Sequence, residues 1–364
     1  MPKKKTQIPD KILLWTVVAL IIIGLIVLIS ASISESKKNF NNIYSYFLHQ
    51  IIYGLGAGGI LGYIMYRFPY KNLKKLALPS FLISLLLMLL VFVPGISITT
   101  RGAHRWLNLG FITVQPSEFI KLTFIIYLSA WLSTHIKEVG KKSSLIPFSA
   151  LLGILTLLLI LQPDLSTLGI IVATAVSMYF VAGARFKYLA IMGLATASAL
   201  FLFIKTSPYR LNRVLTLLNP SSDPLGVGYQ INQILIAVGS GRWFGTGLLQ
   251  GEHKKFLPLA MNDSIYAVWA EETGFIGSII LIVLFLLLAG RGFKIATLIK
   301  DNFGKFIMTG IVVWFFFQAS INVAAITGIF PLTGVTVPFI SYGSSSMVIT
   351  LMATGLMLQL SKNV

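Results

Sequence analysis

The chain has 364 residues, 56% of them hydrophobic and 11% charged, with a mean hydropathy of +0.84. That balance excludes an ordinary water-soluble domain and points to an integral membrane protein. The formal net charge is +18, but the basic residues lie between apolar runs without aromatic interleaving, so they read as loops facing anionic headgroups and exclude a nucleic-acid surface.

Taken from the N-terminus, apolar runs long enough to cross a bilayer as helices fall near 12–32, 44–66, 75–94, 118–135, 146–162, 166–183, 187–205, 265–290, 303–327 and 341–360. The first follows three lysines and ends at Ser30-Ala31-Ser32, a pattern shared with signal peptides; its length and the spans that follow make it an uncleaved first helix. The expected fold is an all-α membrane protein of about ten transmembrane helices in a single multispanning domain, 1–364. One large extracytoplasmic loop, 206–264, separates the seventh and eighth spans. Lysines and arginines gather in alternate connections, around Lys3, Lys71, Lys141, Arg185 and Lys300, which assigns both termini to the cytoplasm.

The third-to-fourth connection reads TTRGAHRWLNLGFITVQPSEFIK, and Pro116 and Ser117 mark a helix start. Glu118 and Lys121, three apart, share a helical face. Charges at membrane depth turn to the bundle interior and pair, so this is either a functional pair or a structural one fixing helix register. Farther on, LQPDLST interrupts an apolar region at Pro163, and Asp164 reads foremost as a helix cap.

A loop as long as 206–264 is more often functional than a tether. It carries Arg210, Arg213, Arg242, Glu252, His253, Lys254, Lys255 and Asp263 among many glycines. Its YQINQILIAVGS segment is amphipathic and fits a surface-lying helix, a re-entrant one or a packed loop helix. The next stretch, LAMNDSIYAVWAEETGFIG, spends three of the chain's 11 acidic residues at the mouth of an apolar run. Asp263 precedes that span, where the helix dipole favours its ionised form; an ordinary cap and a general base are both open. Glu271 and Glu272 lie about two turns deeper, and at least one of them reads as a buried structural acid. Last, GIFPLTGVTVPFISYGSSS mixes Gly, Pro and Ser at membrane level, where irregular backbone is tolerated if it lines a polar cavity; Ser341 is a candidate lining residue.

Under this topology all these segments open on one external cleft. Arg101, Arg105, Lys121, Arg210, Arg213, Lys254 and Lys255 around a few carboxylates suit an anionic substrate such as a pyrophosphate. A carboxylate among them can accept a proton from an incoming hydroxyl while the cations stabilise a departing phosphate, the logic of glycosyl transfer from a lipid diphosphate. No cysteine is present and the four histidines lack an HExxH spacing, so no motif demands a metal, although carboxylates with phosphates can hold magnesium or manganese.

Several long motifs in order, RGAHRWLNLG with QPSEFIK, QPDLST, NPSSDPLGVGYQINQILIAVGSGRWFGTGL, NDSIYAVWAEETGFIG and PLTGVTVPFISYGSSS, make nearly the whole chain resemble the SEDS family of peptidoglycan polymerases. SDPLGVGYQ and AVGSGRWFGTGL are more similar to its FtsW and SpoVE division and sporulation branch than to RodA. The resemblance implies a bacterial cytoplasmic-membrane enzyme that polymerises lipid II at the outer face by inverting transfer to the acceptor's 4-hydroxyl. It implies Asp263 as base, Glu118 and Lys121 as the intramembrane pair, Arg101, Arg210 and Arg213 as diphosphate contacts, and a class B penicillin-binding protein as partner beside the membrane lipids. A lipid II flippase and a noncatalytic scaffold for a division transpeptidase are the competing readings. The chain departs from the family pattern at Asn262, Ser264 and Tyr266 around the aspartate, at Leu259, at Thr273 and at Ser344.

Overall fold

The computed structural model describes residues 8–100, 103–108, 110, 113–205, 211, 215–217 and 226–362. The protein is a multi-pass helical membrane protein. Among the described residues, seven helices are long and apolar enough to cross a bilayer: Lys11–Phe40, Ser45–Arg67, Tyr70–Leu90, Lys142–Leu161, Ile265–Leu298, Asn302–Ile326 and Ser344–Ser361.

Helix α1 (Lys11–Phe40) starts where the Asp10 carboxylate caps the Leu13 N–H at 2.8 Å and stops where Asn41 turns left-handed. After it, α2 (Ser45–His49) passes through a π-helical stretch, Gln50–Gly56, into α3 (Ala57–Arg67). The Phe68-Pro69 step ends that helix, because the residue before proline is pushed to extended backbone, and α4 (Tyr70–Leu90) begins.

The connection after α4 folds as a small antiparallel sheet, β1 (Ser97–Thr100), β2 (Ala103–Asn108) and β3 (Thr113–Val114), in spatial order β1-β2-β3. Ser97 pairs with Leu107, and Leu107 with Val114. Then come α5 (Pro116–Thr134), α6 (Lys142–Leu161), α7 (Leu165–Val181) and α8 (Phe186–Lys205). The break between α6 and α7 is bound on both sides. Arg105 of β2 donates to the Gln162 carbonyl at 3.0 Å, and the Asp164 carboxylate caps Thr167 through its N–H and its hydroxyl.

The remaining helices are α9 (Val227–Ser240), α10 (Ile265–Leu298), α11 (Asn302–Ile326) and α12 (Ser344–Ser361). α11 is the axis of the bundle: Met308, Ile311, Val312, Trp314 and Phe315 are fully buried, with α5, α7 and α10 packed around it. The outward faces of α3, α4, α6 and α10 expose Ile60, Leu82, Ile83, Leu157, Ile280 and Leu286, an apolar surface that suits lipid as its solvent. α3 and α12 touch backbone to backbone, since a Cβ on Gly355 would lie 1.9 Å from the Gly62 carbonyl oxygen; small residues are what permit that approach between membrane helices.

The N- and C-terminal helices meet at one end of the bundle, where the Asp10 N–H donates to Ser361 Oγ at 3.0 Å and Arg291 Nε donates to both Asp10 oxygens. The sheet, the α6–α7 break, Asp263 and the 328–343 connection lie at the other end, bound to one another as follows.

Candidate active site

Two features of α10 set the stage. Gly274 departs from helical geometry (φ 69°, ψ −163°), so the helix breaks about two turns into its length. A break inside a membrane bundle frees backbone groups that need partners. The glycine-rich segment after α9 supplies them. Thr246 and Gly247 donate to the carbonyls of Glu271 and Glu272 at 2.9 and 3.1 Å, and Phe275 and Ile276 donate to the carbonyls of Arg242 and Trp243 at 2.8 and 3.2 Å. The approach leaves no room for side chains, since a Cβ on Gly245 would lie 2.1 Å from the Glu272 carbonyl oxygen.

The two glutamates beside the break are buried and bound by adjacent residues of the same loop. Glu271 Oε1 accepts from the His253 N–H and faces His253 Nδ1, both at 2.9 Å. Glu272 Oε1 accepts from Lys254 Nζ at 2.9 Å and from the Ser30 hydroxyl of α1. Lys254 is therefore taken up in bracing the loop against α10, whereas Lys255, next along the 3₁₀ turn His253–Lys255, is exposed.

Asp263 lies immediately before α10, half-buried. Its main-chain carbonyl accepts from Asn322 Nδ2 of α11 at 2.8 Å, and the same amide donates to Val335 of the 328–343 connection at 2.6 Å. Its carboxylate faces Gly334, where an added Cβ would stand 3.7 Å from Oδ2, an ordinary contact; the positive φ of 71° at Gly334 is what asks for glycine there. One turn back on α11, Gln318 performs the matching task. Its Nε2 donates to the Thr336 carbonyl at 2.8 Å, and its Oε1 accepts from Lys121 Nζ at 3.0 Å and Trp314 Nε1 at 2.6 Å.

Lys121 also pairs with Glu118 at 2.8 Å and sits 5.0 Å from the centre of the Trp314 ring, so a fully enclosed cation is met by a carboxylate, an amide oxygen and an aromatic face. The second Glu118 oxygen is buried without a hydrogen-bond partner among the described residues.

The 328–343 connection is thus held from four sides. Besides Gln318 and Asn322, Ser166 at the start of α7 donates to the Thr333 carbonyl, and Gly343 donates to Gln50 Oε1 at 3.1 Å. Ser341 is buried and its hydroxyl accepts the Val337 N–H at 2.8 Å, closing the loop on itself. Arg101, Arg210 and Arg213 lie outside the described residues. Of the remaining candidates, Glu118, Lys121, Asp263 and Ser341 join one network through α11 and this connection, while Lys255 stands apart on the loop surface. Among the described residues no group of three or more His, Asp or Glu side chains converges on a metal position.

Sequence reasoning passed over Gln318 and Asn322, the residues that join these parts. Two amides four apart inside a strongly apolar run were the available signal, because polar side chains in a membrane helix face the interior and find partners.

Comparison with known proteins gives a consistent result. The FtsW, RodA and SpoVE family, described as cell cycle protein, matches residues 11–364. Stage V sporulation protein E of Bacillus subtilis is 36% identical over 100% of this chain and 99% of its own length. A probable peptidoglycan glycosyltransferase FtsW of Trichlorobacter lovleyi is 38% identical over 97% of this chain and 93% of its own. Among solved structures, a chain described under "Structural coordination of polymerization and crosslinking by a peptidoglycan synthase complex" superposes with a TM-score of 0.81 at 28% identity, covering 97% of both chains. The rod shape determining protein RodA of Thermus thermophilus superposes with a TM-score of 0.72 at 26% identity, over 97% of this chain and 96% of that one.

Proposed function

This chain belongs to the FtsW, RodA and SpoVE family of cell cycle proteins, and from that premise we propose that Asp263 is the general base with which it extends glycan strands from lipid II. The protein is a peptidoglycan glycosyltransferase of the cytoplasmic membrane. The observation that carries the residue assignment is the clamp on Asp263: its backbone is fixed by Asn322 and its carboxylate faces the 328–343 connection.

In the reaction, Asp263 accepts the proton of the acceptor's sugar 4-hydroxyl as that oxygen attacks the donor's anomeric carbon. The bond to the diphosphate breaks with its electron pair leaving on undecaprenyl pyrophosphate, and the anomeric configuration inverts. A carboxylate fixed through its backbone costs little reorganisation at that moment. Cations are needed for the departing diphosphate, a task we assign to Arg101, Arg210, Arg213 and the exposed Lys255. Any magnesium or manganese would be held jointly with the substrate's phosphates. Glu118 and Lys121 keep the floor of the site dry and fixed.

Ten spans with both termini cytoplasmic, and the loop 206–264 outside, set this site at the outer face. Two observations support that topology: the meeting of Asp10, Arg291 and Ser361 at the end opposite Asp263, and the lysines and arginines of the alternate connections. A transpeptidase partner, which we take to be a class B penicillin-binding protein, would cross-link the strands; the similarity to a chain of a peptidoglycan synthase complex supports it.

The test is polymerisation of lipid II by the purified protein with its partner, comparing wild type with Asp263→Asn. Strands from wild type and none from a folded, partner-binding Asp263→Asn are expected. Equal rates would remove Asp263 as base, and no strands from wild type would favour a flippase or a scaffold.

A further inference from the structure

Beside the Asp263 loop the chain builds a strip of rings that the transfer chemistry leaves unused. Tyr46 and Tyr342 meet edge to face at 5.3 Å, and His49 lies 6.0 Å from Tyr342 and 4.7 Å from Tyr53. His49 Nδ1 faces two hydroxyls, Tyr342 Oη at 3.1 Å and Ser344 Oγ at 3.3 Å. His49 and Tyr53 are exposed, and Tyr46 and Tyr342 are partly so.

The strip is fastened to the candidate base through backbone. Tyr342 N–H donates to the Met261 carbonyl at 2.8 Å, and Asn262 Nδ2 donates to the Tyr342 carbonyl at 3.4 Å, one residue from Asp263. The π-helical stretch begins directly after His49, and its first residue, the buried Gln50, reaches across to Gly343. Widened turns of this kind cost helix geometry and recur at functional sites.

We propose that His49, Tyr53 and Tyr342 form a saccharide subsite that seats the terminal pyranose of the acceptor, an inference that rests on the polymerase reading. Pyranose rings present apolar C–H faces and a rim of hydroxyls, and aromatic faces with hydroxyl and imidazole groups at their edges match both. The strip contains no lysine or arginine, so it suits a neutral sugar and not a diphosphate. A general base acts on the acceptor's hydroxyl, so the sugar beside Asp263 is the acceptor's. A plain interfacial belt of aromatic residues is the competing outcome.

The experiment is saturation-transfer NMR of the soluble disaccharide of N-acetylglucosamine and N-acetylmuramic acid with the full-length protein in detergent. It is paired with lipid II polymerisation rates for wild type, His49→Leu, Tyr342→Leu and the milder Tyr342→Phe. The expected result is transfer to the sugar ring protons of wild type and of Asp263→Asn. The two leucine variants should weaken binding by about tenfold and raise the lipid II concentration for half-maximal rate more than they lower the maximal rate. Tyr342→Phe keeps most of the transfer. Absent transfer in wild type, or equal transfer in folded leucine variants, overturns the subsite. Failure of wild type to make strands would overturn the polymerase reading instead, while the disaccharide signal would still decide whether the strip holds sugar.

Discussion

Asn322 reaches from the middle of the bundle to the main-chain carbonyl of Asp263, 2.8 Å away, and so fixes the position of that residue through its backbone. Replacing Asn322 by alanine takes this donor from the buried Val335 carbonyl, at about 1–3 kcal/mol, and from the partly buried Asp263 carbonyl at less. Polymerisation should fall by about tenfold or more through the maximal rate, with a smaller change in the half-saturating substrate concentration. A wild-type maximal rate in a folded Asn322→Ala protein would mean that the clamp does not orient the base.

Lys121 and Glu118 form a pair whose members depend on each other for burial. Lys121→Met leaves a carboxylate in low dielectric, which costs about 3–5 kcal/mol, whereas converting both to neutral residues removes the unpaired charge. Thermal unfolding in detergent should therefore rank wild type above Lys121→Met, with Glu118→Gln/Lys121→Met recovering much of the loss. If the double variant is no more stable than the single, the pair is not isolated from other charges.

Gly245 has a left-handed φ of 82° and its backbone packs on the carbonyl of Glu272. Alanine there must displace either the loop or the upper part of α10, a strain of roughly 1–3 kcal/mol or more. The measurement is limited proteolysis within 241–255, which should accelerate in Gly245→Ala and stay slow in Gly153→Ala, where an added Cβ meets nothing within 4 Å.

At the opposite end, the Arg291 guanidinium hydrogen-bonded to Asp10 holds that carboxyl below the usual carboxylate range, against a smaller opposing effect of burial. A lowered folded pKa means that the folded state prefers the ionised form. The stabilisation is therefore complete above the ordinary Asp value of about 3.9 and disappears as pH falls through the depressed one. Wild type should unfold at a higher temperature than Asp10→Asn at pH 7, and the gap should narrow below about pH 4. A gap independent of pH would mean that the charge on Asp10 is not what stabilises this end, since asparagine caps a helix about as well.

Much of this arrangement is written plainly in the chain. Apolar runs mark the spans because backbone in lipid must satisfy itself, and Glu118 with Lys121 marks an interior face because a lone charge there is too costly. The sheet at 97–114 was not legible, since its strands are short, half polar and interrupted by glycine. The partners of Glu271 and Glu272 were hidden for another reason. Adjacent acids gave no hint that His253 and Lys254, in a separate turn, would each take one, because loop return paths are set by tertiary packing. Nor could the helical period announce the Gly274 break, as a single glycine in an apolar run is compatible with a continuous helix.

That break changes what Asp263 is mounted on. Residues 265–273 form a short stub, separated from the long membrane rod that follows and riveted to a different segment of chain. The aim of the aspartate is consequently a local property. The segment 242–247 acts as a splint across the break, binding Glu271 and Glu272 on the stub and Phe275 and Ile276 on the rod, so the bearing of the aspartate is held by a neighbouring stretch of chain where helix continuity is lost.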